Sequence, residues 1–215
     1  MEKEVTMKKM IKPSYLNRFL KLKCSGDIIN ILAPISGAEK EITESWAILR
    51  KIKPLVLADP NKYSIVDYCA GNALTSVMAA FILPITKAVA VDIKLRDRNW
   101  SSIKKFKYIQ GDIYAPEGSV FEDGWSDVIM VSSHPCKHAI RVIDIFNMSN
   151  AKALCLIPCC HDSYSLPMQR FLRERMDNYD CWSYYLGSLI KNAKVTIQTD
   201  SNIKSPKNNV IYAQR

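Results

Sequence analysis

Tyr63-Ser-Ile-Val-Asp67-Tyr-Cys69-Ala-Gly71-Asn72-Ala73-Leu-Thr-Ser76-Val-Met78 is the stretch from which the architecture can be read. Its first half is a short apolar run closed by an acid, the pattern of a strand buried in a parallel sheet. Leu74, Val77, Met78 and Phe81 then recur at helical spacing, so the order is strand, tight turn, helix. At such a junction the first helical N–H groups are unpaired and point out of the sheet. Gly71 lets a ligand approach the chain there without meeting a Cβ. These are the outlines of a nucleotide site.

Downstream, Lys87-Ala-Val-Ala-Val-Asp92 is a second apolar run closed by an acid, which completes a βαβ unit. Asp92 follows Gly71 by about 20 residues, the interval at which a Rossmann-type acid reaches a pair of ribose hydroxyls. Residues 95–106, with Trp100 and Ile103, are expected as a short basic helix, and Lys107-Tyr-Ile-Gln-Gly-Asp112-Ile113 as a third strand. A strand-terminal Asp taken alone is most simply a cap for the helix that follows. Asp67, Asp92 and Asp112 together, on three strands in register, gather instead on the rim where open α/β sheets bind ligands.

The pattern continues. Residues 114–125 read as a loop or short helix with Pro116, Gly118 and Gly124, and Ser126-Asp-Val-Ile-Met-Val-Ser132-Ser133-His134-Pro135 as a fourth strand entering a polar loop. Residues 136–146 are the next expected helix. Ala151-Lys-Ala-Leu-Cys-Leu-Ile-Pro158-Cys159-Cys160-His161-Asp162 is a fifth strand followed by a loop dense in reactive side chains. Residues 166–192 are expected as a long polar helical stretch holding Arg170, Arg173 and Arg175 among Phe171, Tyr179, Trp182, Tyr184 and Tyr185. Two last strands, Lys194-Val-Thr-Ile-Gln-Thr199 and Asn209-Val-Ile-Tyr-Ala-Gln214, form a closing antiparallel hairpin.

Upstream of the opening stretch, residues 39–57 fit an amphipathic helix, with turns at Ser25-Gly-Asp27 and Pro34-Ile-Ser-Gly37. Residues 1–24 interleave Lys3, Lys8, Lys9, Lys12, Arg18, Lys21 and Lys23 with Tyr15, Leu16, Phe19 and Leu20, which suits a helix after Pro13. Two readings stand for this segment: a solvated helix packed on the domain, or an arm that contacts RNA or a membrane surface.

The 215 residues, 48% of them hydrophobic, suffice for one well-filled core. No apolar run reaches the roughly 18 residues that span a bilayer, and the start lacks the apolar core of a secretion signal, so a soluble, cytoplasmic protein with no membrane partner is expected. Seven irregularly spaced cysteines read as reduced thiols, not as a disulfide framework. A formal charge of +9 favours a polyanionic partner.

The order of elements over about residues 40–215 resembles the class I S-adenosylmethionine-dependent methyltransferases, and Asp67-Tyr-Cys69-Ala70-Gly71-Asn72-Ala73 is similar to that family's first motif. The motif is usually an acid followed by three alternate glycines; here Gly71 keeps the middle place, with Cys69 and Ala73 as small stand-ins. The resemblance implies a three-layer Rossmann-like α/β fold with a mostly parallel seven-stranded sheet and a terminal antiparallel hairpin. Residues 1–38 would then be a basic helical extension and residues 39–215 the methyltransferase domain. It implies S-adenosylmethionine as cofactor, with Asp67, Cys69, Ala70, Gly71 and Asn72 around its methionine part, Asp92 and Ile93 at the ribose, and Asp112 and Ile113 at the adenine. Ser132 joins that cofactor set. Residues 132–135 occupy the fourth motif, where the methyl acceptor is placed. A dinucleotide-binding dehydrogenase competes on the same fold, but its fingerprint wants three glycines for a pyrophosphate, and Asp112 has no set role in it.

His134-Pro-Cys136-Lys-His138 and Cys159-Cys160-His161-Asp162 follow adjacent strands and hold all three histidines. A His/Cys turn paired with a Cys-Cys-His turn resembles one branch of these methyltransferases that includes tRNA-modifying enzymes. Three chemistries remain open for it. His134 or His161 acts as a catalytic base or orients the acceptor; Cys136, His138, Cys159, Cys160 and His161 hold zinc, although their spacing is not that of the usual knuckles; or the cluster is packed scaffolding. The expectation adopted is catalytic His134 and His161 with no metal. RNA, as tRNA or rRNA, is the favoured acceptor, with the Arg- and aromatic-rich residues 166–192 and Lys104-Lys105-Phe-Lys107 lining a phosphate groove. A small-molecule or protein methyltransferase, or a non-catalytic RNA-binding module with a degenerate cofactor loop, are the alternatives; a partner protein cannot be read from the residues.

Overall fold

The computed structural model of the chain describes residues 13–115, 127–159 and 174–215. In order, the elements are α1 (Tyr15–Leu20), α2 (Ser25–Leu32), α3 (Ala38–Ala58), β1 (Tyr63–Tyr68), α4 (Leu74–Ile82), β2 (Lys87–Asp92), β3 (Phe106–Gln110), β4 (Asp127–Ser133), α5 (Ala139–Met148), β5 (Ala153–Ile157), α6 (Asn178–Ser188), β6 (Lys194–Thr199) and β7 (Asn209–Gln214). The seven strands form one sheet in the order β3-β2-β1-β4-β5-β7-β6. β1 to β5 are parallel, and β7 inserts antiparallel between β5 and β6. This is the three-layer Rossmann-like methyltransferase fold that the resemblance implied.

Alternation along each strand sorts the core into two layers. Ile65, Ala88, Ala90, Ile129 and Val131 face the layer built by α1 to α4, while Val66, Val89, Val91, Val128 and Met130 face the layer that includes α5 and α6. Because the central strands are buried on both faces, their sequences read as unbroken apolar runs. The order β3-β2-β1 against β4-β5 places the strand-order switch between β1 and β4, and ligands bind such sheets off the carboxyl ends at that point.

Three expectations are corrected. Ser25 to Asp27 open α2 and are not a turn, and Tyr15, Phe19, Ile28 and Leu32 all join the core against α3. Tyr15 also donates to Asp200 Oδ2 at 2.5 Å and accepts from Arg50 at 2.6 Å, which ties α1 to the β6–β7 connection. Residues 95–106 make no helix beyond a 3-10 turn at Trp100–Ser102; Trp100 stacks on Tyr108 of β3 with ring centroids 5.1 Å apart, so packing against the sheet overrides the helical spacing. Of the long stretch expected over residues 166–192, the described part is helical over Asn178–Ser188 alone, and Tyr179 and Trp182 point into the core, not toward solvent. An added Cβ at Gly187 would come within 2.7 Å of Ile197 Cδ1, so α6 lies close over β6 there. Arg170, Phe171 and Arg173 lie outside the described residues, as do residues 1–12 with Lys3, Lys8, Lys9 and Lys12. No described helix is long and apolar enough to cross a membrane.

Burial of α1 separates a packed helix from a solvated arm by experiment. Phe19→Ala removes a side chain with no solvent exposure and is expected to cost about 3–5 kcal/mol in urea unfolding, as buried aromatic truncations do. Leu20→Ala, at a site 53% exposed, is expected to cost no more than about 0.5 kcal/mol. Equal small costs would mean that α1 adds nothing to the core.

Candidate functional site

The turn between β1 and α4 is built from alternating left-handed residues. Cys69, Gly71 and Ala73 have φ of 57°, 53° and 59°, so the backbone takes at all three places the conformation for which glycine is the easy residue. Ala73 N–H donates to Ala70 O at 2.7 Å, Ala70 N–H to Val91 O at 3.1 Å, and Gly71 N–H to Asp92 Oδ2 at 2.8 Å, which binds the loop to the end of β2. Around Gly71 the space is open: a Cβ there would meet nothing within 4 Å.

The three strand-end acids do different things. Asp67 is 2% exposed and its carboxylate accepts the Ser76 N–H at 3.2 Å, so it caps α4 from beneath the loop and lines neither cavity described below. Burial pushes its carboxyl up to about 7, and the Asp92 charge adds to the rise, while the bonds from Ser76 pull the other way. Asp92 accepts Gly71 N–H on one oxygen and Lys94 N–H at 2.9 Å on the other, and its carboxylate faces a cleft. Asp112 is exposed, and its Oδ1 accepts Tyr114 N–H at 2.9 Å in a local turn; Ile113 beside it is buried, with its carbonyl held by Arg141.

Two adjoining cavities share Cys69, Gly71, Arg96 and His134. One, of about 400 Å³, runs along the carboxyl ends of β1 to β4 past Asp92, Ile93, Asp112, Ile113, Cys136 and His138. The other, of about 360 Å³, lies between that rim and α3, and adds Lys40, Glu41, Glu44, Asn72 and Ser133. Ser132 reaches neither: strand alternation sends it to the opposite face, where its Oγ donates to Tyr68 O at 2.6 Å, and Ser133 takes the cavity-facing position.

The second cavity is the part that strand-and-motif reading missed. Glu41 and Glu44 sit three residues apart on one face of α3, in its first two turns. Glu41 accepts Asn72 Nδ2 at 2.9 and 3.2 Å, which braces the loop; burial raises its pKa above the usual range, with the Glu44 charge adding to the rise and the Asn72 bond, Lys40 and Arg96 opposing it. Glu44 is 2% exposed and its Oε1 lies 2.6 Å from His134 Nε2, although the ring N–H is not aimed well enough at the oxygen for a hydrogen bond, so the contact is one of charge. Burial alone pushes His134 down; the neighbouring Cys159 thiol and the Glu44 carboxylate with its charge more than offset this and hold the imidazole up at about 9. His134 is thus a cation at neutral pH. Acids interrupting the apolar face of a helix just before the first strand were the available signal.

His138 Nδ1 lies 3.2 Å from the hydroxyl of Tyr114, whose ring is 56% exposed beside the cleft. Cys136 and Cys159 bring their sulfurs to 3.2 Å. Cys160 and His161 lie outside the described residues, and among the described residues no group of three or more His, Cys, Asp and Glu side chains is disposed to hold a metal ion.

Two stability measurements follow. An imidazole raised from about 6.5 to about 9 contributes stability that is complete below about pH 6.5 and lost as pH rises through about 9. Urea unfolding from about pH 6 to about pH 10 should therefore show the wild type losing more stability than Glu44→Gln. Asp67 runs in the same direction through a lower window, from 3.8 to about 7, and is common to both proteins. A parallel loss in the two would refute the His134–Glu44 coupling. Separately, Ala73→Gly relieves a left-handed alanine worth about 1–2 kcal/mol and forfeits a buried methyl worth about 0.8 kcal/mol, so it is expected to be neutral or slightly stabilising. Ala79→Gly, within α4 and equally buried, is expected to cost at least about 1 kcal/mol.

No protein-family model and no curated protein matches the chain. Among solved structures it is similar to the 23S rRNA methyltransferase ErmE, at 13% identity and a TM-score of 0.46 over 77% of this chain and 67% of that one. It is also similar to an rRNA methylase from Streptococcus thermophilus, at 12% and 0.43 over 78% and 96%, and to precorrin-6y C5,15-methyltransferase from Geobacter metallireducens GS-15, at 17% and 0.43 over 78% and 87%.

Proposed function

We propose that the chain is an S-adenosylmethionine-dependent methyltransferase acting on RNA. The observation that carries this reading is where the unpaired polar atoms are. Glu44 Oε1, Ser133 Oγ and Arg96 Nε are buried without a hydrogen-bond partner, and all three belong to walls of the cavity between α3 and the rim. Buried polar atoms left unpaired are costly, so several converging on one cavity argue for a polar ligand there. The donor set fits the cofactor: carboxylates of Glu41 and Glu44 for an ammonium, the Arg96 guanidinium for a carboxylate, Asp92 for vicinal hydroxyls, and Asp112 with the apolar Ile113 for an aminated ring.

When bound, S-adenosylmethionine supplies an electrophilic methyl carbon on a sulfonium. The chain's own work is alignment and exclusion of water. Asp92, already fixed by two backbone N–H groups, holds hydroxyls without having to reorganise. His134 carries its proton at neutral pH, which suits it to orient an acceptor by donating a hydrogen bond and not to take a proton from it. Asp67 acts through Ser76 in the first turn of α4, as a positioning residue.

For RNA, the support is charge and a stacking ring. Lys40, Lys94 and Arg96 line the two cavities, the formal charge is +9, and the exposed Tyr114 ring lies at the cleft with Arg141 5.7 Å from its centroid. Basic groups beside an exposed ring serve a phosphate backbone and an unstacked base.

Calorimetry with S-adenosylmethionine and S-adenosylhomocysteine tests the cofactor, and Asp92→Ala is expected to weaken binding by about tenfold or more, about 1.4 kcal/mol. No binding of either ligand to folded wild type would overturn the methyltransferase reading. Transfer of labelled methyl to unmodified tRNA or rRNA fragments, with binding that falls steeply with salt, is the expected result for the acceptor. Cofactor binding with no RNA affinity at low salt would instead favour a small-molecule or protein acceptor.

A further inference from the structure

β4 and β5 run parallel with Ser133 opposite Ile157, and His134 N–H extends the pairing by donating to Ile157 O at 2.8 Å. The two loops that follow are thereby held side by side. Cys136, exposed at the start of the 3-10 turn Cys136–His138, meets the half-buried Cys159 with 3.2 Å between sulfurs, in contact but unbonded. His134 and Cys136 both hold left-handed φ, 55° and 50°, which non-glycine residues adopt at a cost and which recurs at functional turns. Behind the thiols stands the His134 imidazole, whose proton is favoured by the neighbouring Cys159 thiol and by the buried Glu44 carboxylate, 2.6 Å from its Nε2. A cationic imidazole beside the Cys159 sulfur favours its anion, the form in which a second thiol attacks an oxidised first one. Nothing in the methyl-transfer reading uses either thiol.

We propose that Cys136 and Cys159 form a reversible dithiol–disulfide site, closed by a hydroperoxide and reopened by a thiol reductant, at the wall of the Asp92 cleft. The exposed Cys136 sulfur attacks one oxygen of the hydroperoxide and its proton passes to the other; the O–O bond breaks, a sulfenic acid forms, and the other oxygen leaves as water from hydrogen peroxide or as the alcohol from an alkyl hydroperoxide. The Cys159 sulfur, its proton passed to solvent or to the departing oxygen, then attacks the sulfenic sulfur. The S–S bond forms as the S–O bond breaks, and water leaves. One hydroperoxide is reduced by two electrons and two thiols are oxidised. The new bond joins the loops after β4 and β5 and removes the thiol hydrogen from the His134 contact. The proposal does not depend on which group the cleft binds.

The test uses the full reduced chain, treated with hydrogen peroxide and then alkylated with a maleimide. Expected are two fewer alkylatable thiols than the seven of the reduced chain, an intact mass lower by two hydrogens, a cross-linked peptide joining Cys136 to Cys159, and full reversal by dithiothreitol. Cys136→Ser and Cys159→Ser should each abolish the paired loss, and Cys181→Ser, at a buried site, should preserve it. A cross-link through Cys160, a disulfide between two chains, an unchanged thiol count, or stoichiometric zinc that must be chelated before the thiols react would each overturn the proposal. The thiol count on the wild type stands even if a serine variant fails to fold.

Discussion

Parallel pairing of β1 between β2 and β4 is the constraint from which the site follows. Because the three strands run the same way, their carboxyl ends share one rim, and the chain must leave that rim through connections that cross back over the sheet. The turn after β1, the acid at the end of β2 and the His134 turn after β4 are thus brought together from positions far apart in the chain. The hydrogen bond from Gly71 N–H to Asp92 makes the first of these meetings explicit. Without the parallel register, Asp92 would have no loop to hold.

Around that rim the charges are arranged unequally. Asp67 is sealed beneath the loop and pushed up to about 7 by burial, Asp92 is braced by two N–H groups and open to the cleft, and Asp112 is exposed on a local turn. One residue pattern, an acid closing an apolar run, therefore serves as helix cap, as cleft-lining acceptor and as turn former. The distinction comes from where each strand ends relative to its neighbours. Asp67 has α4 directly above it, whereas the end of β2 opens onto the cavity.

α3 supplies a second wall. Its Glu41 reaches the β1–α4 turn through Asn72, and its Glu44 reaches the β4–α5 turn through His134, so one helix face touches both motif loops. Together with the Cys159 thiol, the Glu44 contact holds the imidazole up at about 9.

The sequence alone determined the order of the seven strands along the chain, the parallel sheet with its closing hairpin, and the positions of Asp92, Gly71 and the His134 turn, because hydrophobic periodicity and turn residues are local signals that survive without a partner. It read Cys69 and Ala73 as stand-ins for glycine, and the backbone indeed takes positive φ at both. Only the tertiary structure decided that residues 95–105 make a 3-10 turn packed on β3 in place of a helix, that Tyr179 and Trp182 serve the core, that Ser133 and not Ser132 faces the cavity, and that Glu41 and Glu44 of a helix before the motif line the second cavity. Each of these depends on packing between segments distant in the chain. A strand shows its two faces to the sequence as a period of two, but which face meets a cavity is set by the helices laid upon it.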